Sequence, residues 1–283
     1  MSQHRIDAGG GVKLHVEVTG SGHPVLFAHE FGADCREWES QVRHFSRCYR
    51  CITYNARGYP PSDVPEDQDL YGWEFSVADI AAVLRGLTIP RAHIVGLSMG
   101  GYAALMFGLK HGAMASAIVA AGAGTGSAPE DREAWLRDTP VTAAGFLSRG
   151  MAAMAEEMGH SPTRIQLKHK DPRGWEEFMT HLRGHSPRGM SNTMARYQAL
   201  RPSLHDFRDA FASMTTPVLL AVGDEDAPCL ATNLMLKSAL ANAGLWIAPN
   251  TGHAINLEEP AAFNVEVERF FHAVEAGSWR RGM

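Results

Sequence analysis

AHIVGLSMGG, residues 92–101, runs from an apolar stretch with β-branched residues straight into a serine flanked by glycines. The apolar run His93-Ile94-Val95 has strand character, and a helical pattern from Ser98 to Lys110 follows it without a linker. A turn that reverses direction so tightly crowds its own backbone, so the flanking positions must be small, and Gly96, Gly100 and Gly101 meet that need. The Gly-x-Ser-x-Gly pattern alone is weak, since roughly one chain of this length in ten carries it by chance at ordinary residue frequencies. Its position between a strand and a helix gives it meaning. Ser98 would stand at a helix N-terminus, where backbone N–H groups face developing negative charge.

Working outward, strand-length apolar runs recur on both sides. VKLHVEV starts at Val12, PVLFAH at Pro24, RCITYN at Arg50 and SAIVAAG at Ser116, with PVLLAVG at Pro217 and LWIAPN at Leu245 after a gap. Several are continuous apolar runs, as expected of strands covered on both faces. Helical spacing is seen over Glu74–Leu87, Leu230–Ala241 and about Pro260–Val274. Strands alternating with helices predict an α/β fold with a mostly parallel sheet. The alternation fails from about Gly126 to Thr215. There Phe146, Leu147, Gly150, Met151, Met154 and Met158 follow one helical face, and Phe178, Leu182, Met190, Met194 and Tyr197 suggest further helices. The expected division is therefore a sheet core of residues 1–125 and 214–283 interrupted by a helical cap, 126–213. GAGTGSAP, from Gly122, reads as a flexible linker into the cap rather than a phosphate loop, because a dinucleotide fingerprint belongs to an early strand-to-helix turn.

Composition narrows the class. The 283 residues are 45% hydrophobic, enough for a sizeable core, and the formal charge of −5 argues against a nucleic-acid surface. The N-terminus is polar, without the apolar segment of a signal peptide, and no window reaches the roughly 18 apolar residues of a membrane span. Four cysteines make neither a disulfide scaffold nor a zinc ribbon; Cys48 and Cys51 read as unconnected thiols. The expected compartment is the cytoplasm, the partner a small-molecule substrate, with no cofactor, metal, nucleic acid or membrane. Oligomeric state is left open. The Arg280-Arg281 pair reads as a solvated tail, and the basic stretch Lys168–Arg188 as a solvated face of the cap.

A serine hydroxyl needs a base to become a nucleophile, and the base needs an acid to hold its tautomer. GHAINLEEP places His253 on a loop between a late strand and the final helix, and VLLAVGDED places Asp224, Glu225 and Asp226 at a strand end. Serine, acid and histidine follow in the chain order of one hydrolase architecture.

With HEFG at 29–32, NARGYPPSD at 55–63, GLSMGG, GDED and GHAINLEEP, the chain resembles the α/β-hydrolase-fold serine hydrolases over nearly its whole length. It is most like the smaller esterases and the enol-lactonases of aromatic degradation. The resemblance implies helices on both faces of the sheet, a cap inserted after strand 6, and a triad of Ser98, Asp226 and His253. Asp226 is chosen over Asp224 because the family acid lies three residues after the strand-ending glycine, here Gly223. It also implies oxyanion donors at the backbone N–H groups of Met99 and Phe31, and cleavage of a small carboxylic ester or lactone through an acyl-enzyme. A C–C bond hydrolase of a vinylogous diketone and a ligand-binding receptor on the same fold are the alternatives.

One residue departs from the pattern. Family members mostly have glycine where this chain has Glu30. A bare carboxylate facing the oxyanion would oppose the reaction by several kcal/mol in a low-dielectric pocket. Three readings follow. Glu30 turns away and pairs with a cation such as Arg57; it binds substrate or water at the pocket rim; or it acts in catalysis directly, with a raised pKa. Arg57 and Gly58 otherwise read as structural, Trp38 as packing, and the cap methionines as packing or as an adaptable lining.

Overall fold

The computed structural model describes residues 1–279, so the Arg280-Arg281 pair lies outside the described residues. Eight strands form one sheet: β1 (Ser2–Asp7), β2 (Lys13–Thr19), β3 (His23–Ala28), β4 (Tyr49–Tyr54), β5 (Ala92–Leu97), β6 (Ala115–Ala121), β7 (Val218–Gly223) and β8 (Ala243–Ala248). Their spatial order is β1-β2-β4-β3-β5-β6-β7-β8. Only the pairs β1–β2 and β2–β4 are antiparallel; from β4 to β8 every neighbour is parallel. The helices of the first half are α1 (Glu39–Phe45), α2 (Trp73–Gly86) and α3 (Met99–His111). Between β6 and β7 come α4 (Pro129–Ser148), α5 (Gly150–Gly159), α6 (Ile165–Lys170), α7 (Pro172–Arg183), α8 (Pro187–Asn192), a π-helical turn at Thr193–Gln198, and α9 (Arg208–Ala212). The last are α10 (Ala227–Ala239), α11 (Ile255–Glu258) and α12 (Pro260–Glu275). Among the described residues no helix is long and apolar enough to cross a membrane.

The seven runs read from the sequence all lie in strands, within a residue or two. The polar segment SQHRID gives no apolar signal, yet it forms β1. It is an edge strand whose only partner is β2, and its burial alternates between exposed and partly buried, so a polar sequence suits it. The central strands β5, β6 and β7 are buried at every position. Successive residues point to opposite faces and build two cores. Leu26, Ile94, Ile118 and Leu220 join the core that contains α2, α3 and α10 side chains. Val25, Phe27, Val95, Val119 and Leu219 join Phe45, Phe263, Val267 and Phe271 of α1 and α12 on the other face. Trp38 is fully buried there, as a packing residue.

Two expectations are corrected between β6 and β7. The face read from Phe146 to Met158 is broken: α4 ends at Ser148, Gly150 has φ +77° and opens α5, and Leu147 is left 60% exposed. GAGTGSAP is not a flexible linker but a turn buried except at Thr125 and Pro129 and packed against α10; the Asn233 amide donates to Ala123 O and the Arg201 guanidinium to Thr125 O. Its glycines adopt positive φ at Gly122, Gly124 and Gly126, so their composition serves a tight turn rather than mobility. The cysteines are all free thiols, as read. Of the basic stretch, Lys168–Arg188, most side chains are solvent-exposed or partly so, but His185 is buried against Gly32 O.

The first turn of α3 lies directly on the sheet. A Cβ at Gly96 would sit 2.1 Å from Gly100 O, and one at Gly100 would sit 2.1 Å from Ala28 O, both contacts against backbone that cannot yield. Gly100→Ala is therefore expected to lower unfolding free energy by about 2 kcal/mol or more in urea denaturation, because α3 must lift from β3. Unchanged stability would show that this contact is not tight.

Candidate active site

Ser98 occupies the one-residue junction between β5 and α3, with φ 53° and ψ −109°. A non-glycine residue at positive φ is strained, and such strain persists only where its surroundings enforce it. Here Ser98 N–H donates to Ala121 O on β6 and Ser98 O accepts from Tyr102 N–H, which fixes the turn from both sides. The strain keeps the side chain off the helix axis and partly open to a cavity of about 170 Å³. Phe31, Trp135, Arg164, Met194, Arg201, Asp226 and His253 share that cavity's wall with Ser98. A larger cleft of about 370 Å³, lined by Asp34, Arg36, Glu37 and His181, does not reach Ser98.

His253 and Asp226 come together as read from their order. The His253 Nδ1–H donates to Asp226 Oδ2 at 2.8 Å, and both residues are buried. His253 N–H donates to Thr163 O at 2.7 Å, which ties the loop after β8 to the helical segment. Burial by itself would lower the imidazole's pKa, but the Asp226 charge and hydrogen bond reverse that and hold it well above 6.5. Asp224, the rejected candidate, instead accepts from Thr251 N–H and shapes the histidine loop.

The loop after β3 is locked by its own histidine. Ala56 N–H donates to His29 Nε2 at 3.0 Å, so the ring proton sits on Nδ1 and donates to Glu30 O at 2.7 Å. A trans peptide sets C=O and N–H in opposite directions, so Phe31 N–H points away from the His29 ring. Phe31 N–H donates to no protein acceptor among the described residues. Met99 opens α3, so its N–H has no carbonyl one turn back within the helix. The sequence named these two donors, and both residues adjoin the serine: Phe31 lines its cavity and Met99 follows it in the chain.

Glu30 is fully buried, and its partner is Arg164, not Arg57. Arg57 makes a fork-to-fork pair with Asp79, at 2.8 and 2.6 Å, and so is structural as expected, but it is spent on that carboxylate and leaves none of this fork for Glu30. The Arg164 guanidinium donates to both oxygens of Glu30. Glu30 Oε2 also lies 3.6 Å from His253 Nε2. Arg164 forms part of the cavity wall, and its partner Glu30 is fully buried. Beneath it, Glu37 Oε2 accepts Glu30 N–H, and burial together with the Glu30 charge pushes the Glu37 carboxyl well above the usual range. Arg164 was missed in the sequence because it lies just before the stretch Lys168–Arg188 read as basic, and its partner Glu30 is 134 residues away.

Cys229 was missed as well. It sits three residues after Asp226, in the first turn of α10, with Sγ 3.9 Å from His253 Nδ1 and 3.2 Å from Gly122 O. Asp226, Cys229 and His253 bring donor atoms within 4.8 Å of one another. They do not make a ready metal set, because burial raises the Cys229 thiol and His253 Nδ1 is already engaged with Asp226.

A family model described as the alpha/beta hydrolase family matches residues 6–266, and the chain belongs to that family. It is similar to 3-oxoadipate enol-lactonase 1 of Acinetobacter baylyi, 27% identical, with 89% of this chain and 91% of that protein covered. An enol-lactonase from Burkholderia xenovorans shares the fold with a TM-score of 0.82 at 22% identity, over 94% of this chain and 99% of that one. A thermophilic esterase from Thermogutta terrifontis does so at 0.84 and 23%, over 97% and 99%. The chain is a hydrolase of this family.

The buried Glu30–Arg164 pair gives a direct test. Arg164→Met strands a buried carboxylate and is expected to lower stability by about 3 kcal/mol in urea at neutral pH, whereas Arg164→Met with Glu30→Gln recovers most of it. Equal losses in the single and double variants would show that the pair is not coupled.

Proposed function

We propose that this hydrolase is a serine enzyme that cleaves a small carboxylic ester or lactone through an acyl-enzyme, with residues 126–213 acting as a cap over the site. The observation that carries the reading is a strained, partly open Ser98 on the wall of the same cavity as a buried His253–Asp226 pair joined at 2.8 Å. The names of the relatives, an enol-lactonase and an esterase, support the same bond type.

In this reading Ser98 Oγ attacks the acyl carbon while His253 Nε2 takes its proton. The tetrahedral oxyanion accepts hydrogen bonds from the N–H groups of Met99 and Phe31, each worth about 10²–10³ in rate. Asp226 holds the imidazolium. The proton passes from Nε2 to the departing alkoxide, which stays tethered as a hydroxyl or enol when the substrate is a lactone. Water, deprotonated by His253, then attacks the acyl-enzyme, and the proton returns to Ser98 as the acid leaves. Arg164 neutralises Glu30, so the extra carboxylate does not face the oxyanion as a free charge. Glu30 is then a positioning residue, acting through Arg164 and His253.

The base works only when neutral. Because Asp226 holds the His253 pKa above 6.5, kcat/KM is expected to climb with pH along a limb centred above 6.5. Asp226→Asn removes the raising charge, so that limb is expected to move to lower pH while the plateau falls by about 10⁴. Steady-state profiles with p-nitrophenyl acetate check both; a limb that Asp226→Asn leaves in place would remove His253 as the base. Ser98→Ala is expected to cost at least about 10⁴ in kcat on the same ester. A loss below tenfold would refute the nucleophile.

A further inference from the structure

The cavity wall holds four charged or chargeable side chains, and three of them are compensated. Arg164 is paired with Glu30, and His253 with Asp226. Arg201 is not. It is 3% exposed, yet among the described residues no carboxylate lies within salt-bridge distance of it. Its Nη2 donates to Thr125 O at 2.7 Å, and its Nε–H is buried with no acceptor. The guanidinium carbon lies over the Tyr102 and Trp135 rings, 5.0 and 5.3 Å from their centroids. The rings attract the cation but give its N–H donors no acceptor. Arg132 donates to Arg201 O and so fixes the backbone without adding an acid.

A buried arginine without a counter-ion is costly, and arginine does not escape by losing its proton. The same side chain forms part of the wall beside Ser98. We infer that Arg201 is the docking point for a carboxylate on the substrate itself. The substrate class is then a small ester or lactone that bears a free carboxylate besides the acyl group that reacts. One guanidinium edge matches one planar carboxylate in geometry and in charge, whereas a phosphate dianion would bring a second charge with no cation left to meet it. A cavity of about 170 Å³ keeps the spacer between the two groups short. The inference rests on the ester or lactone reading of the site for its choice of probe, but its readout is binding, not turnover.

Calorimetry on the full-length Ser98→Ala protein compares monomethyl succinate with dimethyl succinate, which differ in the free carboxylate. The monoester is expected to bind at least about tenfold more tightly, the contrast one charged hydrogen-bonded pair supplies. Arg201→Met in the same background is expected to abolish the contrast, and Arg137→Met, at an exposed arginine outside the cavity wall, to retain it. If Arg201→Met does not melt cooperatively, Arg201→Lys keeps the cation but not the fork and is expected to shrink the contrast at least about threefold. Equal binding of the two esters, no binding of either, a contrast that survives substitution of Arg201, or one lost with Arg137 instead would each overturn the assignment. Should Ser98→Ala keep full esterase turnover, the serine reading falls, while the carboxylate contrast is judged independently.

Discussion

The close seat of the first turn of α3 on the ends of β3 and β5 is the constraint on which the rest of this molecule depends. Backbone approaches backbone so closely that Gly96 and Gly100 admit no side chain. That contact goes with a turn made within one residue, with Ser98 at positive φ and Met99 opening α3. It also brings α3 against the carbonyls of Ala28 and His29, the start of the loop that carries Phe31. Ser98, Met99 and the loop that carries Phe31 are therefore brought together by one packing event.

Around this turn the charges are handled in pairs. Arg57 with Asp79 fixes the turn after β4, and Arg164 with Glu30 fixes the segment before α6 to the loop after β3. The second pair explains how an acid is tolerated where relatives of this architecture favour glycine. Burial and the Glu30 charge push its neighbour Glu37 well above the usual carboxylate range. The pair also means that the cation neutralising Glu30 arrives from residues 126–213, along with Thr163 O, which accepts His253 N–H. That segment is thus tied to the His253 loop and to Glu30 through two adjacent residues, Thr163 and Arg164. Arg201 stands outside this pattern, and its missing acid is what makes the cavity selective in charge.

The parallel core was legible in the sequence because β5, β6 and β7 are buried on both faces, and continuous apolar runs report that condition directly. The triad candidates were legible because each follows a strand at a turn, where glycine marks the geometry. β1 was not legible: an edge strand with one partner has no need of apolar residues. The break at Gly150 was hidden because periodicity counts residues and does not register a change in φ. GAGTGSAP misled because glycines in a buried tight turn and in a loose linker have the same composition. Arg164, Cys229 and Arg201 gave no signal, since what singles them out is a partner, or the lack of one, far away in the chain. Glu30 was marked as out of pattern, but its cation lies 134 residues on and no spacing rule connects them.

The central claim is that Ser98 carries the acyl group. Rapid mixing of the enzyme with p-nitrophenyl acetate tests it most directly, read as nitrophenol released in the first turnover. The account gives a burst equal to the enzyme concentration, absent in Ser98→Ala, with an acetyl mass increment on the peptide that contains Ser98. Linear release with no burst, together with unlabelled Ser98 and undiminished turnover in Ser98→Ala, would contradict it.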